Sequence, residues 1–332
     1  MTDRPIRADE VMPLDLLDTP FSINFWISGS CNFRCRYCSH SLPKGDPGRE
    51  GMIDGFLTME DFRLIADSMA EFPERINCAS FCGIGEPLLN PHLADMIEII
   101  NKEKLANVTE VTTNASLLTP EMSDKLIDSG LSCLSVSIQG VSPEGYENIC
   151  GRRVDISELV SNLDYFRKHR KNTMMVIKTL DICVKTGEEK NRFEQIFRPL
   201  SDMLNILHTV RMFSGVDYSD LVNEPIDQLT GGKMQAIPYC FLPFSAIHIL
   251  PDGGISPCPL PRRPFLLGNI KDMSLKEAWR SPVMLKFLLD NATCNRAGYE
   301  ACRNCEEPNM LTSKPTMPPD LADKIRKLML VN

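Results

Sequence analysis

With 332 residues, the chain has room for one large domain and a smaller one. Hydrophobic residues make up 43% and charged residues 24%, the balance of an ordinary globular protein. The formal net charge of −8 comes without a block of like charge or a basic stripe, which excludes the electrostatic footprint of a nucleic-acid binder.

Residues 1–20 form an N-terminal extension that mixes acids, Arg and Pro without the apolar core of a signal peptide. No apolar run is long enough to span a bilayer, so no membrane partner is expected and the expected location is cytoplasmic. From residue 21 to residue 213, short apolar runs alternate with helical patterns. Strand-like runs occupy 21–28, 76–83, 107–115, 133–140, 173–182 and 206–213, several of them apolar on both faces, as buried parallel strands are. Helical patterns occupy 58–72, 92–104, 120–129, 143–149, 156–169 and 188–200. Thr58 precedes Met59-Glu60-Asp61 and Thr119 precedes Pro120-Glu121, each an N-cap ahead of a helix start. Gly130 stands where the third helix should stop. Six alternating units predict an α/β fold with a parallel sheet or barrel, in which chemistry collects at the C-terminal ends of the strands.

The pattern then changes. Residues 214–238 carry Gly, Pro, Asp and Asn without periodicity and read as a linker, with Asp217-Tyr218 expected near the barrel mouth. Residues 239–310 read as a small Cys-rich α+β module. Its strand-like runs 246–250 and 255–257 flank the turn Pro251-Asp252-Gly253-Gly254, and a helix is expected over 274–289. In the tail, 311–332, an amphipathic helix is expected over 318–331.

Thirteen cysteines are many for a chain in a reducing compartment, so clustered ones point to metal or cluster ligation rather than disulfides. Cys31, Cys35 and Cys38 lie just after the first strand, in Gly29-Ser30-Cys31-Asn32-Phe33-Arg34-Cys35-Arg36-Tyr37-Cys38. Three thiolates with no near fourth would hold a [4Fe–4S] cluster and leave one iron open to a chelating small molecule. A zinc site is the competing reading, although structural zinc usually takes four ligands. The stretch resembles the CxxxCxφC motif of the radical S-adenosylmethionine (SAM) superfamily, in which φ is aromatic, here Tyr37.

The resemblance implies a partial (β/α)6 barrel over 21–213, a SAM-binding [4Fe–4S] cluster and SAM itself, cleaved reductively to a 5′-deoxyadenosyl radical. Three further segments match in order. Gly83-Ile84-Gly85-Glu86-Pro87 resembles the family's "GGEP" turn, so Gly83, Gly85 and Glu86 are expected to receive the SAM ammonium. Thr112-Thr113-Asn114 resembles the ribose-contacting segment, which assigns Thr113 and Asn114. Ser137 and Gln139 close the fourth strand, with Gln139 where relatives often carry Asp. Relatives also carry an Arg for the SAM carboxylate. Here Cys150 falls at that place, and Arg152 or Arg153 is expected to supply the charge.

Cys240, Cys258, Cys302 and Cys305 combine two distant cysteines with a CxxC, a spacing that suits either zinc or a fully ligated [4Fe–4S] cluster. The segments around them resemble a shortened SPASM, or Twitch, domain, which implies one auxiliary [4Fe–4S] cluster. The cysteine spacing is similar to that of aminocyclitol dehydrogenases acting on 2-deoxy-scyllo-inosamine. Cys294 is a spare thiol, either an alternative ligand or a bystander.

Among the remaining cysteines, Cys78, Cys82, Cys133 and Cys183 read first as small buried hydrophobes. Cys183, at the far end of a strand, and Cys150 are candidate hydrogen-atom donors to a product radical, as an epimerase would need. Lys178 lies inside an apolar strand, so it either pairs with Asp181 or Glu86 or faces the substrate cavity. Arg211 invites the same question. The expected substrate is a sugar, aminocyclitol or related small molecule, oxidised or epimerised, with a flavodoxin- or ferredoxin-type electron donor. A peptide-modifying enzyme is the second reading, weakened by the short stretch before the barrel. A zinc-stabilised or electron-carrying protein without catalysis is the third.

Overall fold

The apolar runs and capped helices fold as repeated βα units in the computed structural model, which describes residues 14–222, 226–310 and 315–330. The expected extension, linker and tail thus lie partly outside the described residues. The strands of the first part are β1 (Ser22–Phe25), β2 (Ile76–Phe81), β3 (Ala106–Thr113), β4 (Cys133–Ile138), β5 (Met174–Leu180) and β6 (Met203–Leu207). The helices between them are α1 (Met59–Met69), α2 (Leu93–Glu103), α3 (Pro120–Asp128), α4 (Pro143–Cys150), α5 (Ile156–His169) and α6 (Gly187–Phe197). All six strands pair in parallel, each with its neighbour in sequence. This is the parallel core of a partial barrel.

Helix starts follow local chemistry. The Thr58 hydroxyl accepts from the Asp61 N–H at 3.1 Å, and Thr119, Ser142 and Asp155 cap α3, α4 and α5 in the same way. The helices then bury one stripe each, for example Phe62, Ile65, Ala66 and Met69 on α1 and Leu159, Leu163 and Phe166 on α5. Each of the Phe, Ile, Leu and Met side chains contributes roughly 1.5–3 kcal/mol. On β5 the outward Met175, Ile177 and Thr179 are buried, whereas the inward Met174, Val176, Lys178 and Leu180 keep partial exposure. The inner face is therefore open and available for ligands.

Two expected elements differ. The sixth strand was expected over 206–213 and ends at Leu207. Beyond it the His208 N–H turns to Gln228 O, and later donors go to side chains instead of a ladder. Thr209 N–H donates to Asp181 at 3.0 Å, and the Met212 and Phe213 N–H groups donate to the Tyr218 hydroxyl at 3.2 and 3.1 Å. The helix expected over 274–289 is two helices, α7 (Leu275–Trp279) and α8 (Pro282–Ala292). Pro282 cannot donate into α7, and it opens α8 behind the Ser281 cap.

The Cys-rich module extends the same sheet. Its strands β7 (Ala246–Ile249), β8 (Gly254–Ser256) and β9 (Gly268–Asn269) bring the order to β6-β5-β4-β3-β2-β1-β7-β8-β9. β7 pairs in parallel with β1, and the hairpin expected around Asp252-Gly253 joins β7 to β8. Two further helices follow, α9 (Glu300–Arg303) and α10 (Leu321–Met329). Among the described residues, no helix is long and apolar enough to cross a membrane.

The β1–β7 seam holds a buried neutral imidazole. Asn24 Nδ2 donates to His248 Nδ1 at 3.3 Å, and His248 Nε2 has no partner. Burial, aided by Arg263, pushes the His248 pKa down from 6.5 to about 3. The unfolded chain therefore takes up a proton near pH 6.5 that the native protein refuses, and stability falls as pH drops from there towards 3. The loss reaches about 2 kcal/mol by pH 5. Thermal unfolding of His248→Asn against the parent at pH 7 and pH 5 should show a flatter pH response in the variant. Equal responses would remove His248 as the cause.

Candidate active site

The loop after β1 carries the first three cysteines and is locked from three sides. The Glu86 N–H donates to Ser30 O at 2.8 Å, and a Cβ on Gly85 would lie 1.9 Å from Ser28 O, so only glycine allows this approach. The Arg34 and Arg36 N–H groups donate to Cys150 O and Ile149 O at the end of α4, both at 2.9 Å. Asn32 provides the third anchor. It accepts from Asn114 Nδ2 at 2.9 Å and donates to the Ser116 hydroxyl at 2.7 Å, tying the loop to the end of β3.

Burial holds the thiols of this loop in their neutral form. Desolvation pushes Cys31 up to about 12, with Glu86 and Cys38 adding to the rise. Cys35 is held well above its ordinary value by burial, then by Cys38, Cys150 and Cys31. Cys38 is raised by burial, against backbone N–H groups of His40 and Ser39 and the charges of Arg49 and Arg34. Cys31 and Cys35 each feel Cys38, so the three thiols share a small volume, and a positively charged occupant would favour their thiolates. Among the described residues, no three His, Cys, Asp or Glu side chains gather closely enough for a single metal ion. A four-iron cube spreads its thiolates further apart than one ion does, so the donor set fits a cluster better than zinc.

Next to Cys38 a cavity of about 270 Å³ opens into the barrel, lined among others by Tyr37, Gly83, Ser137, Gln139, Lys178 and Thr209. The Tyr37 hydroxyl donates to Gln139 Oε1 at 2.5 Å, and Tyr218 donates to Tyr37 O at 3.0 Å, so the aromatic residue of the loop is fixed at both ends. Gly83 has φ +122°, and a Cβ there would meet the Trp26 ring at 2.5 Å. Lys178 lines the cavity, and no ion pair among the described residues includes it.

Several expected contacts are arranged differently. Glu86 is buried, and its carboxylate accepts from the Thr113 hydroxyl at 2.5 Å, the Asn114 N–H at 2.9 Å and the Leu88 N–H at 3.0 Å. Burial raises its pKa, and these three bonds oppose the rise. Glu86 and Thr113 thus clamp the ends of β2 and β3 together and turn into the body of the protein. Asp181 does not meet Lys178. It is held by His208 Nδ1 at 3.0 Å and by the Thr209 hydroxyl at 2.7 Å. Neither Cys183 nor Cys150 is among the described residues lining the cavity. Cys183 packs with Ile149, Ile182 and Tyr218, its Sγ 3.8 Å from Gln139 Oε1. Cys150 Sγ donates to Tyr146 O at 3.0 Å inside α4. Both thiols thus lie behind the residues that line the cavity, Cys183 directly behind Gln139. Arg153 is taken by Glu144 and Glu147, whereas Arg152 is exposed.

Cys240, Cys258, Cys302 and Cys305 line one small apolar cavity, together with Pro257 and Phe287. Burial is the first cause of each raised pKa, taking Cys258 to about 12 and Cys302 to about 11, and each is raised further by others of the set or by Glu307. Arg296 Nη1 and Glu307 Oε2 line or face this cavity without hydrogen-bond partners. Four buried thiols with partnerless polar atoms beside them make a donor set that fits a buried charged group such as an iron–sulfur cluster. Cys294 is exposed and does not join the described lining. A further cavity of about 460 Å³ runs from Ser39 to Cys305 and shares Met212 and Phe213 with the barrel cavity. Arg296, Glu307 and the Met212-Phe213 pair are absent from the expectations above and no motif marks them, and Asn32 lies inside the cysteine motif without a role assigned to it there.

Comparison with known proteins agrees with this layout. Residues 27–199 match the radical SAM superfamily, and residues 240–306 match SPASM, an iron–sulfur cluster-binding domain. The AdoMet-dependent heme synthase of Methanosarcina barkeri is 22% identical over 343 residues, covering 87% of this chain and 92% of that one. The probable GTP 3′,8-cyclase of Methanocaldococcus jannaschii is 31% identical over 129 residues, so the match spans only 39% of either chain. In fold, the chain is similar to BtrN in complex with AdoMet and 2-DOIA, with TM-score 0.55 and 17% identity over 90% of this chain and 95% of that one. It is also similar to anSMEcpe with bound AdoMet and the Cp18Cys peptide, with TM-score 0.55 and 16% identity over 93% and 95% of the two chains. These pairings imply a SAM-binding [4Fe–4S] cluster, SAM and auxiliary iron–sulfur ligation. With more than half its length matched and both cysteine sets gathered where such chemistry needs them, the chain belongs to the radical SAM superfamily and carries a SPASM domain.

Proposed function

We propose that the protein abstracts a hydrogen atom from a sugar, aminocyclitol or related small molecule and oxidises or epimerises it. In this reading Cys31, Cys35 and Cys38 hold the [4Fe–4S] cluster that binds SAM, and Cys240, Cys258, Cys302 and Cys305 hold one auxiliary [4Fe–4S] cluster. When bound, the first cluster and SAM supply a 5′-deoxyadenosyl radical. The carrying observation is the pair of cavities that share Met212 and Phe213 in their walls, one reaching Cys38 and the other Cys305.

The chain's own residues have distinct parts. Tyr37, pinned to Gln139, offers a ring face at the cavity wall. Gly83 and Gly85 let the backbone close on the ligand, and Ser137, Gln139 and Thr209 offer hydrogen bonds to hydroxyl groups. Lys178 places an ammonium where it can pair with a carboxylate of SAM or hold a substrate hydroxyl. Arg152, which is exposed and in no ion pair among the described residues, is a second candidate cation for the SAM carboxylate. A flavodoxin- or ferredoxin-type carrier is the expected source of the electron.

Anaerobic purification tests this reading. About eight irons per chain and SAM-dependent 5′-deoxyadenosine are expected. Bound zinc and no SAM cleavage would sink it. Turnover in deuterated water separates the outcomes, since epimerisation leaves one solvent deuterium on carbon and oxidation leaves none. A peptide substrate is the second reading, favoured by the fold shared with the peptide-bound anSMEcpe.

A further inference from the structure

Arg296 opens a short 3-10 turn, Arg296–Gly298, and is only 8% exposed. It lines the small cavity shared by Cys240, Cys258, Cys302 and Cys305, and its Nη1 has no hydrogen-bond partner. No ion pair among the described residues includes it. A guanidinium keeps its proton in any protein environment, so this is a buried positive charge without a counter-ion among the described residues. Its field falls on Cys302 and Cys305, whose thiolates it favours. Glu307 aims an unpartnered oxygen into the same cavity from the side of Cys258 and Cys305, and it does not pair with Arg296.

A buried, unpaired cation is costly unless something negative completes it. Four thiolates around an iron–sulfur core carry net negative charge, and their sulfurs accept hydrogen bonds. We propose that Arg296 is a positioning and charge-setting residue for the auxiliary cluster, donating its free Nη1–H to sulfur on the Cys302–Cys305 side and favouring the reduced state. The inference rests on the assignment of those four cysteines as ligands. Charge and hydrogen bonds around the sulfurs set the potential of such a group, and the apolar lining strengthens the field. A site biased in this way accepts an electron from a substrate radical more readily, which favours oxidation over a redox-neutral epimerisation.

Redox titration followed by electron paramagnetic resonance tests this on the reconstituted full-length protein. The auxiliary signal is the one that SAM leaves unmoved. Arg296→Gln should lower the midpoint of that signal and leave the SAM-sensitive one in place. Arg296→Lys, which keeps the charge, should stay close to the parent. An unchanged midpoint in a fully loaded Arg296→Gln protein would overturn the proposal. If Arg296→Gln does not load its auxiliary cluster, Arg296→Lys decides: a parent-like midpoint supports a charge role, and a lowered one overturns it. A parent protein that binds only half the expected iron would instead sink the ligand assignment.

Discussion

Cys35→Ala should reduce 5′-deoxyadenosine formation to the level of a no-enzyme control while leaving the fold in place. Cys35 sits between its two neighbours in the loop, and its thiol feels Cys38, Cys150 and Cys31 together. With three thiolates the fourth iron stays open for SAM. With two, the cluster loses a second iron ligand to solvent and no longer holds its shape. The loop itself should survive, because its anchors are Asn32, Arg34, Arg36 and the Glu86 backbone rather than Sγ. The checks are iron content, which should fall by about half, and quantified 5′-deoxyadenosine under strong reductant. Full SAM cleavage by this variant would overturn the assignment of Cys35. Cys31→Ala and Cys38→Ala should behave alike.

Cys258→Ala combined with Cys302→Ala should give the complementary result. Iron should again fall by about half, but SAM cleavage should continue. Product formation should stop, so 5′-deoxyadenosine would accumulate without oxidised or epimerised substrate. The reason is geometric. Met212 and Phe213 line both cavities, and on the proposed reading hydrogen abstraction belongs to the cavity that reaches Cys38 and the later electron step to the one that reaches Cys305. The double variant removes one end of that path. A second effect is expected in stability, because Cys302 is buried on α9 and the module's strands β7 and β8 continue the barrel sheet at β1. Thermal unfolding should shift downward in the loaded protein. Normal product formation with only one cluster present would show that the auxiliary site has no part in turnover.

The architecture was legible in the chain because local chemistry and burial point the same way. Apolar runs with polar punctuation became β1 to β5 close to their expected places, and Thr58, Thr119 and Ser142 capped helices as such residues do. Cysteine spacing was equally readable, since three thiols within one loop need no tertiary information to be neighbours. Long-range partners were not readable. β6 ended early because Asp181 and Tyr218, side chains on other elements, took its backbone donors.

By itself, then, the sequence determined the βα order, the helix starts, the two cysteine sets and the family they resemble. These depend on spacing along the chain. Only the tertiary structure decided what each polar side chain faces. It turned Glu86 inward as a clamp, buried Cys183 and Cys150, left Lys178 in the cavity without a carboxylate, and set Arg296 beside the second cysteine set. The physical reason is that a buried charge or thiol is defined by partners far away in sequence, and such partners meet only when the sheet closes.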